Sequence, residues 1–350
     1  MKYDKIYVLS PADTVTGGPD ALHQMVFYLK KIGCDASIVY FKTSSCTTFS
    51  IPEPYKNYIT SFKCESEIID DEKNAVIIPE NYTKKCDIIK KCHIFIWWLS
   101  VDFGIVGKSF ISKIFFFSTL PLRILLKFSY YKRNSGKAVT WVLNSRKYSF
   151  KNENPKIEHL CASYYAYDFV KCKSKNKVVL CIEPISKYLL EKFRAYRENT
   201  RNVNRLDVIL YNPKKTSCSF IQKIESYAND LEFEPLQGMT QQQLIDKYKS
   251  SKLYIDFGPF PGAERIPKEA VLFGCSIITG RRGASNFYGD VPIPDEYKFE
   301  DPESQIDEIV AKIRFVLGNY EKVYSDFEEY RKTVLNLEDS FIKSLKNIFG

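Results

Sequence analysis

The residues best suited to chemistry are concentrated in 254–293, YIDFGPFPGAERIPKEAVLFGCSIITGRRGASNFYGDVPI. An apolar run ends at Asp256, Phe257 and Gly258, and a loop with Pro259, Pro261 and Gly262 follows. A helix is then predicted with Pro267 near its first turn and Gly274 just past its end. The amino end of such a helix presents N–H groups and the positive end of its dipole, and Arg265 and Lys268 add formal charge. That combination suits an anion. The next apolar run leads into GRRGASN at 280–286, a second loop that brings backbone amides and Arg281 or Arg282 to the same crevice. Asp256 either positions a substrate or holds its own loop.

Other chemistries find little support. DFGIVGKS at 102–109 ends like a phosphate-binding P-loop, but Asp102 stands where that loop needs its first glycine. No GxGxxG follows the first apolar run, which disfavours dinucleotide-dependent redox chemistry, and no GxSxG elbow is present. The histidines are His23, His93 and His159, too few for a hydrolase triad, and His93 beside Cys92 reads as a core histidine rather than a zinc ligand. No Asp-x-Asp occurs and no His, Cys and carboxylate cluster has metal-ligand spacing, so phosphate chemistry here is expected to need no bound metal and no cofactor. The 10 cysteines form no CxxC pair and sit mostly in apolar runs, as small buried hydrophobes. Trp97 and Trp98 are candidates to stack on a sugar ring, with core packing the commoner role.

These residues need elements to hold them. The 350-residue chain is long enough for two domains, and 45% hydrophobic with 15% aromatic residues excludes intrinsic disorder. Strands are expected at 5–10 and 36–41, with a helix at 21–31 whose Leu22, Met25, Val26 and Leu29 share one face before Gly33 stops it. This is a βαβ opening, which implies a parallel sheet. Further strands are expected at 75–78, 94–99 and 138–143, whereas 43–71 resists assignment. The polar run KCKSKNK at 171–177 reads as a hinge. After it come strands at 178–182, 206–211, 253–257 and 275–279, helices at 186–196, 219–230 and 241–250, and a helical tail over 302–349. The expected organisation is an amino-terminal domain at 1–170, a second α/β domain at 171–330 and a helix at 331–350, with ligands in the cleft between the domains.

The opening MKYDKIYVLS carries Asp4 and only a short apolar run, so it reads as a first strand and not a secretory signal, and the protein is expected in the cytosol. The net charge of +9 is too moderate to point to nucleic acid. Residues 105–133 hold six Lys/Arg, no acidic residue and many Phe, Leu and Ile, while Lys113, Pro121, Arg123 and Lys127 prevent a spanning helix. Such a segment suits an anionic membrane surface, with a helical pair and a solvated basic edge as the alternative.

The run Glu269-Ala270-Val271-Leu272-Phe273-Gly274-Cys275-Ser276-Ile277-Ile278-Thr279 resembles the donor-binding signature of GT-B glycosyltransferases. GGPDALHQMVFYLKKIGCDASIVYF at 17–41 is similar to the Gly-Gly loop, helix and second strand that open that fold. YNPKK at 211–215, YIDFGPFPGAERIPKEA at 254–270 and GDVPIPDEYKF at 289–299 resemble bacterial capsule and O-antigen glycosyltransferases. Together these cover about half the chain. The resemblance implies two Rossmann-like α/β domains with parallel sheets facing a cleft. It implies transfer of a sugar from a nucleotide-sugar to a lipid-linked or growing glycan, at the inner face of the cytoplasmic membrane. It also implies that Glu269 holds the ribose hydroxyls and that Gly17 and Gly18 face the donor phosphates and acceptor. Asn212 with Lys214 or Lys215 would meet the diphosphate, and Gly258, Gly262, Gly283, Ser285 and Asn286 would line the donor loops with Asp256. Arg265 and Lys268 are the expected charges on the leaving group. Asp13 and His23 are the candidate bases. Retaining members carry a second glutamate eight residues before the first; Pro261 stands there, and Glu264 is the nearby carboxylate able to bond the sugar. That departure keeps two other readings open, a nucleotide-sugar-modifying enzyme such as a non-hydrolysing epimerase and a non-catalytic nucleotide-sugar-binding module.

Reversing Lys108, Lys113 and Lys127 to Glu is expected to release the protein from anionic vesicles in a sedimentation assay. Undiminished binding would remove the membrane assignment.

Overall fold

The computed structural model describes residues 1–12, 14–41, 49–102, 148–199 and 204–350. Asp13, Cys46, the strand expected at 138–143 and the basic segment at 105–133 lie outside the described residues. The chain divides into two compact units. The first comprises Met1–Ala162, Ala166–Glu183 and Phe341–Gly350, and the second Ser163–Tyr165 and Pro184–Ser340.

The first unit is built on a seven-stranded sheet of β1 (Lys5–Pro11), β2 (Ala36–Phe41), β3 (Lys63–Cys64), β4 (Asn74–Pro79), β5 (His93–Trp98), β6 (Ile157–Cys161) and β7 (Val178–Leu180). Its order is β3-β2-β1-β4-β5-β6-β7 and its pairings are parallel, with Val8 opposite Ile38 and Ile77. Parallel sheets are covered on both faces, which is why these strands read as unbroken apolar runs and not as alternation. Helix α1 (Gly17–Lys31) buries Leu22, Met25, Val26 and Leu29 as the 3.6-residue period requires, and Gly33 at φ +92° ends it. The helix starts four residues earlier than its apolar period suggests. Gly17 and Gly18 hide the start, and Pro19 in the first turn gives up only an N–H that has no partner inside the helix.

KCKSKNK is not a hinge. Helix α2 (Tyr164–Lys171) precedes it, and β7 pairs with β6 through His159 and Val178, so the run is a helix-to-strand connection within the first unit. The chain passes to the second unit at Glu183 and Pro184 instead. Polar composition marks solvent exposure, which a short connection shares with a hinge. The tail is helical as expected, through α7 (Ile306–Gly318), α8 (Tyr320–Val323) and α9 (Glu328–Phe349). Phe341 belongs to the first unit, stacking on Trp97 at 6.1 Å and edge-on to Tyr28 at 5.6 Å.

The second unit carries β8 (Leu206–Tyr211), β9 (Glu232–Pro235), β10 (Ser251–Asp256), β11 (Ser276–Gly280) and β12 (Lys298–Phe299) in the order β12-β11-β10-β8-β9, again parallel. Its helices include α3 (Lys187–Asn199), α4 (Cys218–Tyr227), α5 (Gln241–Ser250) and α6 (Arg265–Leu272). The edge strand β9, EFEP, escaped the sequence reading because it buries little and so carries no apolar run. The chain leaves β8 to form β9 on one side and returns to form β10 on the other. The sheet therefore has a topological switch point between β8 and β10, where loops diverge and leave a crevice.

Phe341→Ala is expected to destabilise the first unit by about 3–5 kcal/mol, since the ring is buried against two aromatic neighbours. Exposed Lys343→Ala should stay within about 0.5 kcal/mol of wild type. Urea denaturation of both variants checks this, and similar midpoints would contradict it.

Candidate active site

Three loops at the carboxyl ends of β8, β10 and β11 carry most of the expected donor residues, and the structure laces them together. After β8, Asn212 folds the chain back on itself: its carbonyl accepts from the N–H groups of Lys215 and Thr216 at 2.9 Å each, and its Oδ1 accepts from Lys214 N–H at 3.0 Å. This turn separates the two lysines. Lys214 is exposed, whereas Lys215 Nζ donates to Pro259 O at 2.9 Å and to Glu264 Oε1 at 2.7 Å. Thr216 Oγ1 accepts from Phe257 N–H at 2.9 Å. The loops after β8 and β10 are thus bonded across the switch point. Gly258 is required there, because a Cβ would stand 2.7 Å from Lys215 O.

Asp256 lies buried beneath this junction. It accepts from Tyr254 O–H at 2.9 Å and from Gly258 N–H at 3.0 Å, and burial pushes its carboxyl up to about 6 against those two bonds. The structure places it as the support of the loop. The third loop is stitched on next: Phe260 N–H donates to Arg282 O at 3.1 Å and Ala284 N–H to Phe260 O at 2.8 Å. Gly283, at φ +68°, sits so close to Phe260 O that a Cβ would fall 2.1 Å from it. Ser285 is turned inward, donating to Gly280 O at 2.5 Å and accepting from Arg282 N–H at 2.9 Å, while Asn286 is exposed. Arg281 is held by Asp295 at 2.8 Å, and exposed Arg282 is the arginine of this loop that faces solvent.

Helix α6 begins at these loops. Glu264 occupies its N-cap position but makes no side-chain cap, since its carboxylate is engaged by Lys215. The amino end of α6 therefore keeps its dipole uncompensated by its own cap residue, and Pro267 in the first turn removes one N–H that would need a partner. Arg265 and Glu269 are four residues apart on one half-buried face, and Gly262 is buried in the approach. Tyr248 O–H donates to Glu269 Oε2 at 3.3 Å and fixes that carboxylate. Lys268 is buried, and its charge helps hold down Asp290, which burial nevertheless raises to about 6 and which accepts from Tyr164 and Tyr165 N–H at 2.8 and 2.9 Å.

Gly17 and Gly18 belong to the first unit, as the first two residues of α1; Thr16 does not cap that helix with its side chain, so its amino end is polarised in the same way. Among the described residues, a Cβ at Gly18 would meet only Leu99, at 3.8 Å. His23 is fully buried. Pro19 O is an acceptor only, so Nδ1 carries the proton and donates to it at 2.5 Å, and Nε2 then accepts from Tyr40 O–H at 2.7 Å. Burial lowers the ring to about 4, and it stacks on Tyr55 at 4.0 Å. Both nitrogens hold the fold. Trp97 and Trp98 are likewise core residues, donating to Cys181 O and His159 Nδ1 at 3.0 Å each.

Sequence reasoning missed Thr216, Tyr248 and Tyr254, the partners that fix Phe257, Glu269 and Asp256. Only Tyr254 carried a signal, being two residues from Asp256 on one strand and hence on the same face. It also missed Glu80, buried directly after β4, whose Oε2 accepts from Leu99 N–H at 3.1 Å and whose carboxyl burial pushes up to about 8. Among the described residues, no group of three or more His, Cys, Asp and Glu side chains is arranged to hold a metal ion. Of the nine described cysteines five are buried, but Cys172 and Cys218 are exposed.

No family model matches the chain, and no curated protein sequence matches it. Solved structures do. A glycosyltransferase from Rickettsia africae matches with a TM-score of 0.53 and 12% identity over 100% of both chains. HepE of Anabaena, solved with UDP-glucose, matches at 0.52 and 11% over 98% of this chain and 99% of its own. The apo lipopolysaccharide outer core galactosyltransferase WaaB matches at 0.50 and 12% over 96% and 99%. The fold is that of the GT-B glycosyltransferases. At these identities the likeness is one of architecture, and in the GT-B fold of this chain the laced loops stand at the switch point of the second sheet.

Asp256 binds its proton more tightly folded than unfolded, so its contribution to stability falls as pH rises from about 4 to about 6 and is level above. The stability advantage of wild type over Asp256→Asn should therefore shrink across that window, by at most about 1.4 kcal/mol per pH unit. Denaturant titrations at pH 4, 5, 6 and 7 check it; an advantage that grows from pH 4 to 6 would overturn the assignment.

Proposed function

We propose that this chain is a glycosyltransferase that moves a sugar from a nucleotide-sugar to a lipid-linked or growing glycan in bacterial cell-surface polysaccharide assembly. The observation that carries the reading is the junction of three loops at the switch point, with the amino end of α6 left uncapped by Glu264 beside Arg265 and exposed Lys214. Breaking an anomeric bond to a nucleoside diphosphate places negative charge on the leaving phosphate. Preorganised amides and cations stabilise that charge without a bound metal, and each such donor is worth about 3–4 kcal/mol of barrier. In this reading Lys214 and the first turn of α6 receive the diphosphate, Arg265 adds charge at the reacting end, and Glu269, steadied by Tyr248, accepts from the ribose hydroxyls. Gly17 and Gly18 open α1 in the first unit with no side chain to keep a ligand from the backbone. Lys215, Asp256, Gly258, Gly283 and Ser285 shape the loops. Lys268 contributes at longer range.

Similar structures support this class: HepE was solved with UDP-glucose, and WaaB is a galactosyltransferase of the lipopolysaccharide outer core. The proposed acceptor side draws on residues 105–133, whose basic and aromatic composition suits the surface where a lipid-linked glycan resides. Among the described residues, no helix is long and apolar enough to cross a membrane.

A thermal-shift panel of UDP, GDP, CMP, ADP and dTDP, each with and without EDTA, tests the reading. One nucleotide should raise the melting temperature and do so in EDTA, since ligand at a hundredfold excess over Kd adds about 2.7 kcal/mol to the bound state. Glu269→Ala should abolish the shift while melting normally without ligand, and Arg265→Ala should lower turnover about 10²–10³-fold. No shift with any nucleotide would overturn the proposal.

A further inference from the structure

The second unit holds a cavity of about 870 Å³ at the opposite end of α6, lined by Leu272 and Phe273 and by Asn204 and Arg205 just ahead of β8. It therefore lies toward the amino ends of the strands, at the other end from the laced loops. Two of its arginines are built in. Arg205 spends its donors on backbone, reaching Tyr248 O and Ser251 O at 2.8 Å each and also Phe273 O. Gly274, at φ +104°, makes room for it, since a Cβ would overlap the guanidinium.

Arg331 is different. Its side chain is only 8% exposed; Nη2 donates to Tyr324 O at 2.6 Å and Glu328 Oε2 at 3.2 Å, and the guanidinium lies 3.8 Å over the Tyr324 ring. Its Nη1 is buried and has no hydrogen-bond partner among the described residues. A buried charged donor without an acceptor is rare in native structures, because it forfeits hydration and gains nothing in return. The rest of the Arg331 side chain lines a cavity large enough for a small molecule.

The charge balance narrows the ligand. Arg197, Arg205, Arg331 and Lys332 face the cavity with Glu321 and Glu328, so four cations meet two carboxylates and two positive charges remain. A phosphate monoester carries about two negative charges at neutral pH and offers the acceptor oxygens a guanidinium fork requires. Tyr196 and Tyr320 supply flat walls for the body of the ligand. We propose that this cavity is a second ligand site, binding a small phosphate-bearing molecule with its phosphate among Arg331 and the exposed cations Arg197 and Lys332. The inference does not depend on the glycosyltransferase reading.

Calorimetric titration of the full chain with glycerol phosphate, a phosphate monoester, tests it, using Lys214→Glu protein so that the loop crevice does not compete. Adding Arg197→Glu and Lys332→Glu, both on the exposed rim, should weaken binding at least tenfold while the melting temperature without ligand stays the same. Malonate, a dicarboxylate of about the same charge, should bind at least tenfold more weakly than glycerol phosphate. Unchanged affinity in the rim variant would overturn the site, and equal affinity for malonate would overturn its assignment to phosphate.

Discussion

The second unit depends on how Lys215 is used. Its ammonium bridges Pro259 O and Glu264 across the gap between β8 and β10, the point where a doubly wound sheet parts its loops. Both partners of the ion pair are about one-fifth exposed, so the attraction is stronger than in bulk water and the desolvation cost is moderate. The pair has a second effect. Glu264 stands at the N-cap of α6, where a free carboxylate would compete for the first-turn amides and cancel part of the dipole. Holding it on Lys215 leaves that end of the helix open to an anion from outside.

The rest of the loop architecture follows from the need to keep this junction tight. Gly258 and Gly283 stand where any side chain would strike a neighbouring carbonyl, Thr216 and Phe260 supply the cross-loop bonds, and Ser285 ties the third loop to itself. Asp256 is carried beneath them at the cost of burying a carboxyl, which its two hydrogen bonds partly offset. The loops are thereby set before any ligand arrives, as electrostatic stabilisation of a developing charge requires.

Much of this was legible in the chain. Parallel strands buried on both faces wrote themselves as runs such as IYVL and IFIWW, and the 3.6-residue spacing of Leu22, Met25, Val26 and Leu29 marked α1. The two loops after β10 and β11 were visible from their glycines and prolines next to apolar runs. What was hidden had no local signature. That Lys214 is exposed and Lys215 engaged depends on a turn closed by Asn212 and on Glu264, 49 residues away. The placement of β7 in the first sheet depends on pairing with β6, which the polar run between α2 and β7 does not encode. His23 is a candidate base by its place on the expected acceptor side, yet helical spacing from Pro19 and a tyrosine on β2 bury it.

The central claim is that the three laced loops receive a nucleoside diphosphate. A crystal structure with the nucleoside diphosphate of the donor tests it most directly. The account predicts the diphosphate at the first turn of α6, within hydrogen-bond distance of Lys214, with the ribose at Glu269. A nucleotide bound elsewhere, or loops 212–216, 257–264 and 280–286 with no diphosphate at saturating concentration, would contradict it.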